Sequence, residues 1–206
     1  MLNNPAARKL VTGIIDPPAK FLLRIGITPD VVTVIGTLGA IVGAVGFLAR
    51  GEFIMGVVII MIFAAADLLD GTMARMQGTS GPWGNFLDAT LDRVADGAIF
   101  GSIAFYAASE NNYSLLAASL IALVAGQVTS YAKARAEAVG AECNDGLVER
   151  AERLMLVLAA VLLAGFGVPY VLDVVMWVLA VLGIVTVIQR FVHVRGQLRG
   201  MGPTNG

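Results

Sequence analysis

The sequence predicts an all-α integral membrane protein with six transmembrane helices, and three observations predict this class. The first is composition: 57% of the 206 residues are hydrophobic and 14% are charged, whereas soluble domains carry about 25% charged residues. The second is a series of long uncharged runs, and the third is the uneven distribution of Lys and Arg between the loops. The formal net charge of −1 argues against nucleic acid binding.

An amphipathic helix over residues 5–25 is predicted before the first span. Apolar residues recur at helical spacing between Leu10 and Ile25, and Lys9, Lys20 and Arg24 accompany them. A helix that lies in the membrane interface fits this pattern, and an ordinary helix packed on the cytoplasmic side is the alternative. Pro17 and Pro18 are predicted at a helix start.

Uncharged runs form the predicted six-helix bundle, which occupies residues 30–195 and is followed by a short polar tail, residues 196–206. Several runs are shorter than the roughly 20 residues that cross a bilayer, so those helices carry charged residues into one end of the membrane. We expect residues 1–206 to form a single transmembrane domain. The runs are Val31–Ala49, Phe53–Ala66, Gly97–Ser109, Asn111–Ala132, Leu154–Leu172 and Val174–Gln189.

Basic residues predict the orientation of the bundle. Of the 14 Lys and Arg residues, only Arg50 lies in the links after the first, third and fifth runs. By the positive-inside rule, both termini are therefore predicted in the cytoplasm. The single cysteine, Cys143, excludes an internal disulfide.

Four aspartates lie where the second and third predicted spans meet the cytoplasmic side. Asp67 and Asp70 are spaced i, i+3, and Asp88 and Asp92 i, i+4, so each pair projects from one face of its helix. The short link MQGTSGPWG makes the two helices an antiparallel pair with both acid pairs at the same depth. We therefore expect four carboxylates to converge in one small volume.

Carboxylates placed so close together remain ionised only if cations neutralise them. Oxygen ligands select Mg²⁺, Mn²⁺ or Ca²⁺, and the lack of clustered His or Cys argues against zinc. Four acids suffice for two divalent ions. Two alternatives stay open: ion pairs with Arg75 and Arg93 that only hold helices together, and a transporter of divalent cations.

Small residues and an arginine accompany these acids. Gly71 follows Asp70, and Gly84 lies one turn before Asp88, so the backbone can approach a ligand closely at both places. Arg75, one turn after Gly71, adds a guanidinium suited to phosphate. Metals, bare backbone and an arginine together indicate a diphosphate site.

Eight positions in this stretch form one pattern with fixed spacing. It resembles the signature of the CDP-alcohol phosphotransferase (phosphatidyltransferase) family, with all eight residues at the family's spacing. The pattern is Asp67-x-x-Asp70-Gly71-x-x-Ala74-Arg75, eight residues, then Gly84-x-x-x-Asp88-x-x-x-Asp92.

The resemblance implies a multi-pass enzyme of the cell membrane, a homodimer with its active site facing the cytoplasm. It would transfer a phosphoryl-linked group from a CDP-alcohol to an acceptor hydroxyl and release CMP, with two divalent cations, Mg²⁺ or Mn²⁺. Asp92 would be the catalytic base. The implied metal ligands are Asp67, Asp70, Asp88 and Asp92.

The resemblance also implies a CDP-diacylglycerol site. Asp30 could instead be only a helix N-cap, and turn formation explains Ser80 and Gly81 equally well. The implied residues are Asp30, Val31, Val32, Thr33, Gly71, Arg75, Ser80 and Gly81.

The segments SYAKARAE and ERAER resemble the branch of the family whose acceptor is inositol phosphate and whose product is phosphatidylinositol phosphate. Ser130 lies one turn before Lys133, so a hydroxyl and an ammonium share one helix face. Arg190, still inside the sixth span, is a better candidate than Arg195. The alternative acceptor is glycerol 3-phosphate. The implied phosphate-binding residues are Ser130, Lys133, Arg153 and Arg190.

Overall fold

The computed structural model describes residues 5–79, 81–143, 146 and 149–200, and it leaves the side chains of residues 5–12, 14, 67 and 200 outside the description. All regular structure in this described part is helical, which confirms the predicted class. A short 3₁₀ turn covers Leu48–Arg50. The α-helices are α1 (Pro5–Arg24), α2 (Pro29–Gly46), α3 (Phe53–Ala64), α4 (Ala66–Gln77), α5 (Pro82–Ser109), α6 (Tyr113–Ala138), α7 (Arg150–Gly165) and α8 (Val171–Gly200).

Four segments of the described chain are long and apolar enough to cross a membrane. Helix α5 has 28 residues, but Asp88, Asp92, Arg93 and Asp96 all lie before Gly97 in that helix, and α7 has only 16 residues. The integral membrane class is thus supported, whereas the number of six spans stays a prediction. The four segments are Pro29–Arg50, Phe53–Gln77, Tyr113–Ala138 and Val171–Arg199.

Helix α1 corrects the prediction that Pro17 and Pro18 begin a helix, because both lie inside one helix, Pro5–Arg24. A proline within a helix removes a backbone hydrogen bond. The helix nevertheless continues, and its second half is held by packing, since fully buried Ala19 lies in one apolar cluster with fully buried Met73 of α4. Packing against α4 therefore outweighs the tendency of the two prolines to begin a new helix.

Small residues allow α2 to approach the helices that follow it. A Cβ atom added at Gly36 would lie 2.9 Å from the Cβ of Ala66, and one added at Gly39 would overlap the ring of Phe63. Close backbone approach of this kind drives helix association in lipid, where apolar burial alone gives little advantage. The opposite side of α2 carries large exposed apolar residues, as expected for a lipid-facing surface: Ile35, Leu38, Val42 and Val45.

We predict that Gly39→Ala destabilises the protein, because the new methyl group would overlap the Phe63 ring. Overpacking of this kind costs about 1–3 kcal/mol. Gly46→Ala in the same helix is the matched control, since a Cβ there meets nothing within 4 Å. Thermal unfolding in detergent should show a lower midpoint for the Gly39 variant alone, and equal midpoints would contradict the packing.

Helices α6 and α8 run in the same direction. Near their first turns, the Asn112 Nδ2 donates to Asp173 Oδ1 at 2.7 Å. Near their other ends, Arg190 Nη1 donates to the carbonyl of Thr129 at 2.6 Å. The predicted fourth and sixth spans must be parallel, because one span that runs in the opposite direction lies between them.

The chain divides into two compact units. The first comprises Met1–Phe47 and Met55–Ile99, and the second comprises Leu48–Ile54 and Phe100–Gly206. The aspartate motif belongs to the first unit and the predicted acceptor residues to the second. Helix α8 continues to Gly200, so the beginning of the predicted polar tail is helical.

Candidate active site

The first half of the aspartate motif lies on α4. Asp67 is in its first turn, although the side chain of Asp67 is outside the described part. A tight i, i+3 hydrogen bond spans this position, since the Leu68 N–H donates to the carbonyl of Ala65 at 3.2 Å. Gly78 ends the helix in a left-handed conformation with φ 67°, which glycine adopts without strain. Arg75 therefore lies in the last turn.

Asp70 is held by a hydroxyl group from α2. Thr33 Oγ1 lies 2.6 Å from Asp70 Oδ2 and 3.1 Å from the carbonyl of Pro29. A hydroxyl has one proton, and the shorter contact to a carboxylate is the stronger bond. Thr33 is 8% exposed, so this bond fixes Asp70 from a buried position. The sequence pointed to Thr33 for the nucleotide only, because no local spacing connects it to Asp70.

The second half of the motif lies on α5, where Asp88 is exposed and Asp92 is half-buried. Arg93 Nη2 lies 3.8 Å from Asp92 and 3.6 Å from Asp96. Asp96 is 3% exposed, so this pairing gives a buried carboxylate a basic partner. Arg93 thus interacts with two of the three carboxylates of its own helix.

A metal site fits the chemistry of these donors. Among the side chains that the structure describes, no three His, Cys, Asp or Glu groups form a metal-holding cluster, but the predicted set includes Asp67, whose side chain is not in that search. Carboxylate oxygens are the ligands that Mg²⁺ and Mn²⁺ prefer. Convergence of the four aspartates therefore stays a prediction.

The backbone beside these acids is open. A Cβ added at Gly71 would meet only Arg75 Nη1, at 3.7 Å, and one added at Gly84 would meet nothing within 4 Å. Packing within the described chain thus does not require glycine at either place, whereas close approach of a ligand would. Arg75 is exposed, and its Nη2 donates to Thr72 Oγ1 at 2.9 Å.

Asp30 is not the N-cap of α2, which corrects the alternative interpretation. Thr28 is the N-cap, and its hydroxyl accepts from the Val31 N–H at 3.4 Å. Asp30 Oδ2 instead accepts a hydrogen bond from Trp83 Nε1 at 2.9 Å. Trp83 was missed by the sequence reasoning, because nothing in the link connects it to α2.

The other predicted nucleotide residues have different surroundings. The side chain of Val32 is 7% exposed and packs with Ala19 and Met73, so it belongs to the apolar interior. Gly81 is half-buried beside the start of α5. Ser80 lies outside the described residues.

Three of the four predicted acceptor residues meet at one turn of α6 in the second unit. A Cβ added at Gly126 would lie 2.7 Å from Arg153 Cζ, and Ser130 Oγ donates to the Gly126 carbonyl at 3.2 Å. Arg190 binds the carbonyl of Thr129 in the same turn. Two guanidinium groups thus lie against residues 126–130.

Both of these arginines are buried, Arg153 at 8% and Arg190 at 9% exposure. The Arg153 guanidinium also lies over the Phe100 ring, with Cζ 5.8 Å from the centroid, at a distance typical of a cation–π contact. Lys133 and Arg195 are exposed. Burial therefore distinguishes Arg190 from Arg195, which sequence position alone could not do firmly.

The family model for CDP-alcohol phosphatidyltransferases matches residues 26–188. This range contains the aspartate motif and three of the four predicted acceptor residues. The chain belongs to the CDP-alcohol phosphatidyltransferase family.

Particular relatives are close. The chain is 50% identical over 200 residues to the phosphatidylinositol phosphate synthase of Streptomyces avermitilis, with 93% of this chain and 82% of that protein covered. The crystal structure of Mycobacterium tuberculosis phosphatidylinositol phosphate synthase with CDP-DAG bound matches with a TM-score of 0.85 at 42% identity, covering 88% of this chain and 93% of that one. The same synthase in complex with manganese and citrate matches with a TM-score of 0.83 at 42% identity, covering 86% and 87%.

Proposed function

We propose that the chain transfers the phosphatidyl group of CDP-diacylglycerol to a hydroxyl of inositol phosphate, giving phosphatidylinositol phosphate and CMP. The observation that carries the choice of acceptor is the pair of buried guanidinium groups of Arg153 and Arg190 at one turn of α6. A guanidinium group forms charge-assisted, often bidentate, hydrogen bonds with a phosphate monoester. Free inositol carries no charge for such a bond.

Two divalent cations, Mg²⁺ or Mn²⁺, serve as cofactors of this reaction. Asp67, Asp70, Asp88 and Asp92 would hold them, and the manganese complex of the tuberculosis synthase supports the choice of metal. Bound to a diphosphate, such ions stabilise the leaving group and draw charge from the attacked phosphorus. Thr33 contributes by holding Asp70 Oδ2 from α2.

Asp92 acts as the general base in this proposal. Its carboxylate accepts the proton of an inositol hydroxyl, and the freed oxygen forms a bond to the phosphorus that carries diacylglycerol. The bond from that phosphorus to the bridging oxygen breaks, and CMP leaves with this oxygen. Atoms and charge balance without an oxidant, a reductant or a covalent enzyme intermediate.

CDP-diacylglycerol is bound by residues of the first unit. Arg75 pairs with the diphosphate, and the bare backbone at Gly71 lets the diphosphate approach α4. The hydrogen bond from Trp83 Nε1 orients the Asp30 carboxylate, and the first turn of α2 supplies Val31, Val32 and Thr33. Gly81 and Ser80 complete the predicted set.

We predict that Arg75→Ala raises the KM for CDP-diacylglycerol at least tenfold, because one charge-assisted contact to the diphosphate is lost. The KM for the acceptor should change little. Arg50→Ala is the matched control, since Arg50 is exposed in the 3₁₀ turn Leu48–Arg50. Steady-state kinetics with each substrate varied in turn measure both constants, and an effect on the acceptor alone would contradict this placement.

Inositol phosphate is bound by Ser130, Lys133, Arg153 and Arg190 in the proposal. Arg190→Ala should raise the acceptor KM roughly ten- to a hundredfold, as expected for a lost charge-assisted contact of about 1.5–3 kcal/mol. Arg195→Ala, on the same helix but exposed, should have a small effect. Equal effects of the two variants would show that the burial of Arg190 does not identify it as the residue that binds the acceptor.

We also propose how the enzyme is placed in the membrane. Six spans cross the cell membrane, α1 lies in the interface, and both termini and the active site face the cytoplasm, as the distribution of basic residues supports. Residues 1–206 act as a single catalytic domain within a homodimer. Crosslinking in native membranes would test the dimer.

The acceptor is tested with purified enzyme, CDP-diacylglycerol and Mg²⁺ or Mn²⁺. Inositol phosphate, free inositol and glycerol 3-phosphate are compared by the rate of CMP release. Inositol phosphate should give the highest kcat/KM by a wide margin. Turnover with glycerol 3-phosphate alone would make the chain a phosphatidylglycerophosphate synthase, and uptake of Mn²⁺ into liposomes without CMP release would make it a transporter.

A further inference from the structure

Gln197, near the end of α8, binds both backbone groups of one residue in the segment that joins α6 to α7. Its Nε2 donates to the carbonyl of Glu142 at 2.9 Å, and its Oε1 accepts from the Glu142 N–H at 2.9 Å. His193, one turn earlier, contacts the same Nε2, so the second amide proton has an acceptor when the ring is neutral. This two-point bond sets both the position and the direction of the backbone at Glu142.

A small apolar cluster holds the same part of the segment. Ala141 and Cys143, on either side of Glu142, are 3% and 1% exposed, and they pack with Ala136 of α6 and Val194 of α8. The residues of α8 that hold the segment recur at one helix face, three and four residues apart. The segment is thus fixed at residues 141–143 by polar and apolar contacts.

The bond that fixes the backbone at Glu142 is important because Gly146, four residues later in the same segment, lies near Arg190. A Cβ added at Gly146 would lie 3.6 Å from Arg190 Nη2, 3.8 Å from its Nε and 3.0 Å from Thr186 Cγ2. On its other side, Arg190 donates through Nη1 to the carbonyl of Thr129. The guanidinium therefore lies between α6 and Gly146, at a distance where a side chain at residue 146 would touch it.

We propose that Gln197 is a positioning residue for the acceptor. Through Glu142 it holds the segment against Arg190 and so preserves the guanidinium orientation that meets the acceptor phosphate. Gln197 lies seven residues, about two helical turns, beyond Arg190 and acts through it rather than on the substrate. This inference rests on the proposed role of Arg190.

The test replaces Gln197 by Leu, which keeps size and removes both hydrogen bonds, and by Glu, which keeps the acceptor for the Glu142 N–H. Gln197→Leu should raise the acceptor KM roughly five- to thirtyfold, as expected when two neutral hydrogen bonds are lost. The KM for CDP-diacylglycerol and kcat should stay within about twofold. Gln197→Glu should fall between wild type and the Leu variant, and it keeps the test decisive if the Leu variant does not fold.

Gln189→Leu is the matched control, because Gln189 is an exposed amide on the same helix. In an Arg190→Ala background, Gln197→Leu should have no further effect on the acceptor KM, since the two changes then act on one contact. An unchanged acceptor KM, an equal rise in the KM for CDP-diacylglycerol, or an additive effect in the double variant would overturn the inference. If the wild type prefers glycerol 3-phosphate, the proposed acceptor fails, but the same comparison with that phosphate still tests Gln197.

Discussion

Asp70→Asn should reduce CMP release below detection, which is the largest effect that we expect from a single substitution. The amide has the same shape and can still accept the hydrogen bond from Thr33, so the contact between α2 and α4 survives. What is lost is the negative charge that holds a divalent cation. Weaker Mn²⁺ binding, measured by electron paramagnetic resonance, should accompany the loss of activity.

Glu110→Gln is the matched control for this variant. Glu110 is exposed and directly follows the far end of α5, so its neutralisation should leave both turnover and Mn²⁺ binding unchanged. Retained turnover in Asp70→Asn, or normal Mn²⁺ affinity, would count against the two-metal site.

Asp92→Asn should give the second largest effect, with a different signature. Loss of a general base typically lowers turnover by roughly 10²–10⁴. Because three other aspartates remain, binding of CDP-diacylglycerol should largely survive and can be measured by the thermal shift that the lipid produces. Loss of that binding would show that Asp92 acts mainly as a metal ligand and not as the general base.

Much of the fold follows from the sequence because lipid imposes strong rules. Backbone groups in hydrocarbon must bond within their own segment, which leaves helices as the solution for long apolar runs. Each uncharged run overlaps a helix, although the fifth run, Leu154–Leu172, extends past the end of α7 at Gly165. Pro17 and Pro18 also differ from the prediction, since packing of Ala19 on α4 outweighs the local preference to begin a helix there.

The local motif of the site could be predicted from the sequence, whereas its contacts between distant residues could not. The aspartates, Gly71 and Arg75 form a local pattern whose spacing carries chemical meaning. The contacts of Thr33 with Asp70 and of Trp83 with Asp30 join residues 37 and 53 positions apart, and no periodicity reports such pairs. Burial of Arg190 likewise depends on how α8 packs on α6, which a linear sequence does not display.

The stoichiometry of the reaction, measured with purified enzyme, CDP-diacylglycerol and radiolabelled inositol phosphate, shows whether the phosphatidyl group reaches this acceptor. For every CMP released, we expect one labelled inositol phosphate in the lipid phase, and we expect Asp92→Asn to slow the formation of both products equally. CMP release without incorporation of label would instead show hydrolysis of CDP-diacylglycerol or transfer to another acceptor, and would contradict the proposed function.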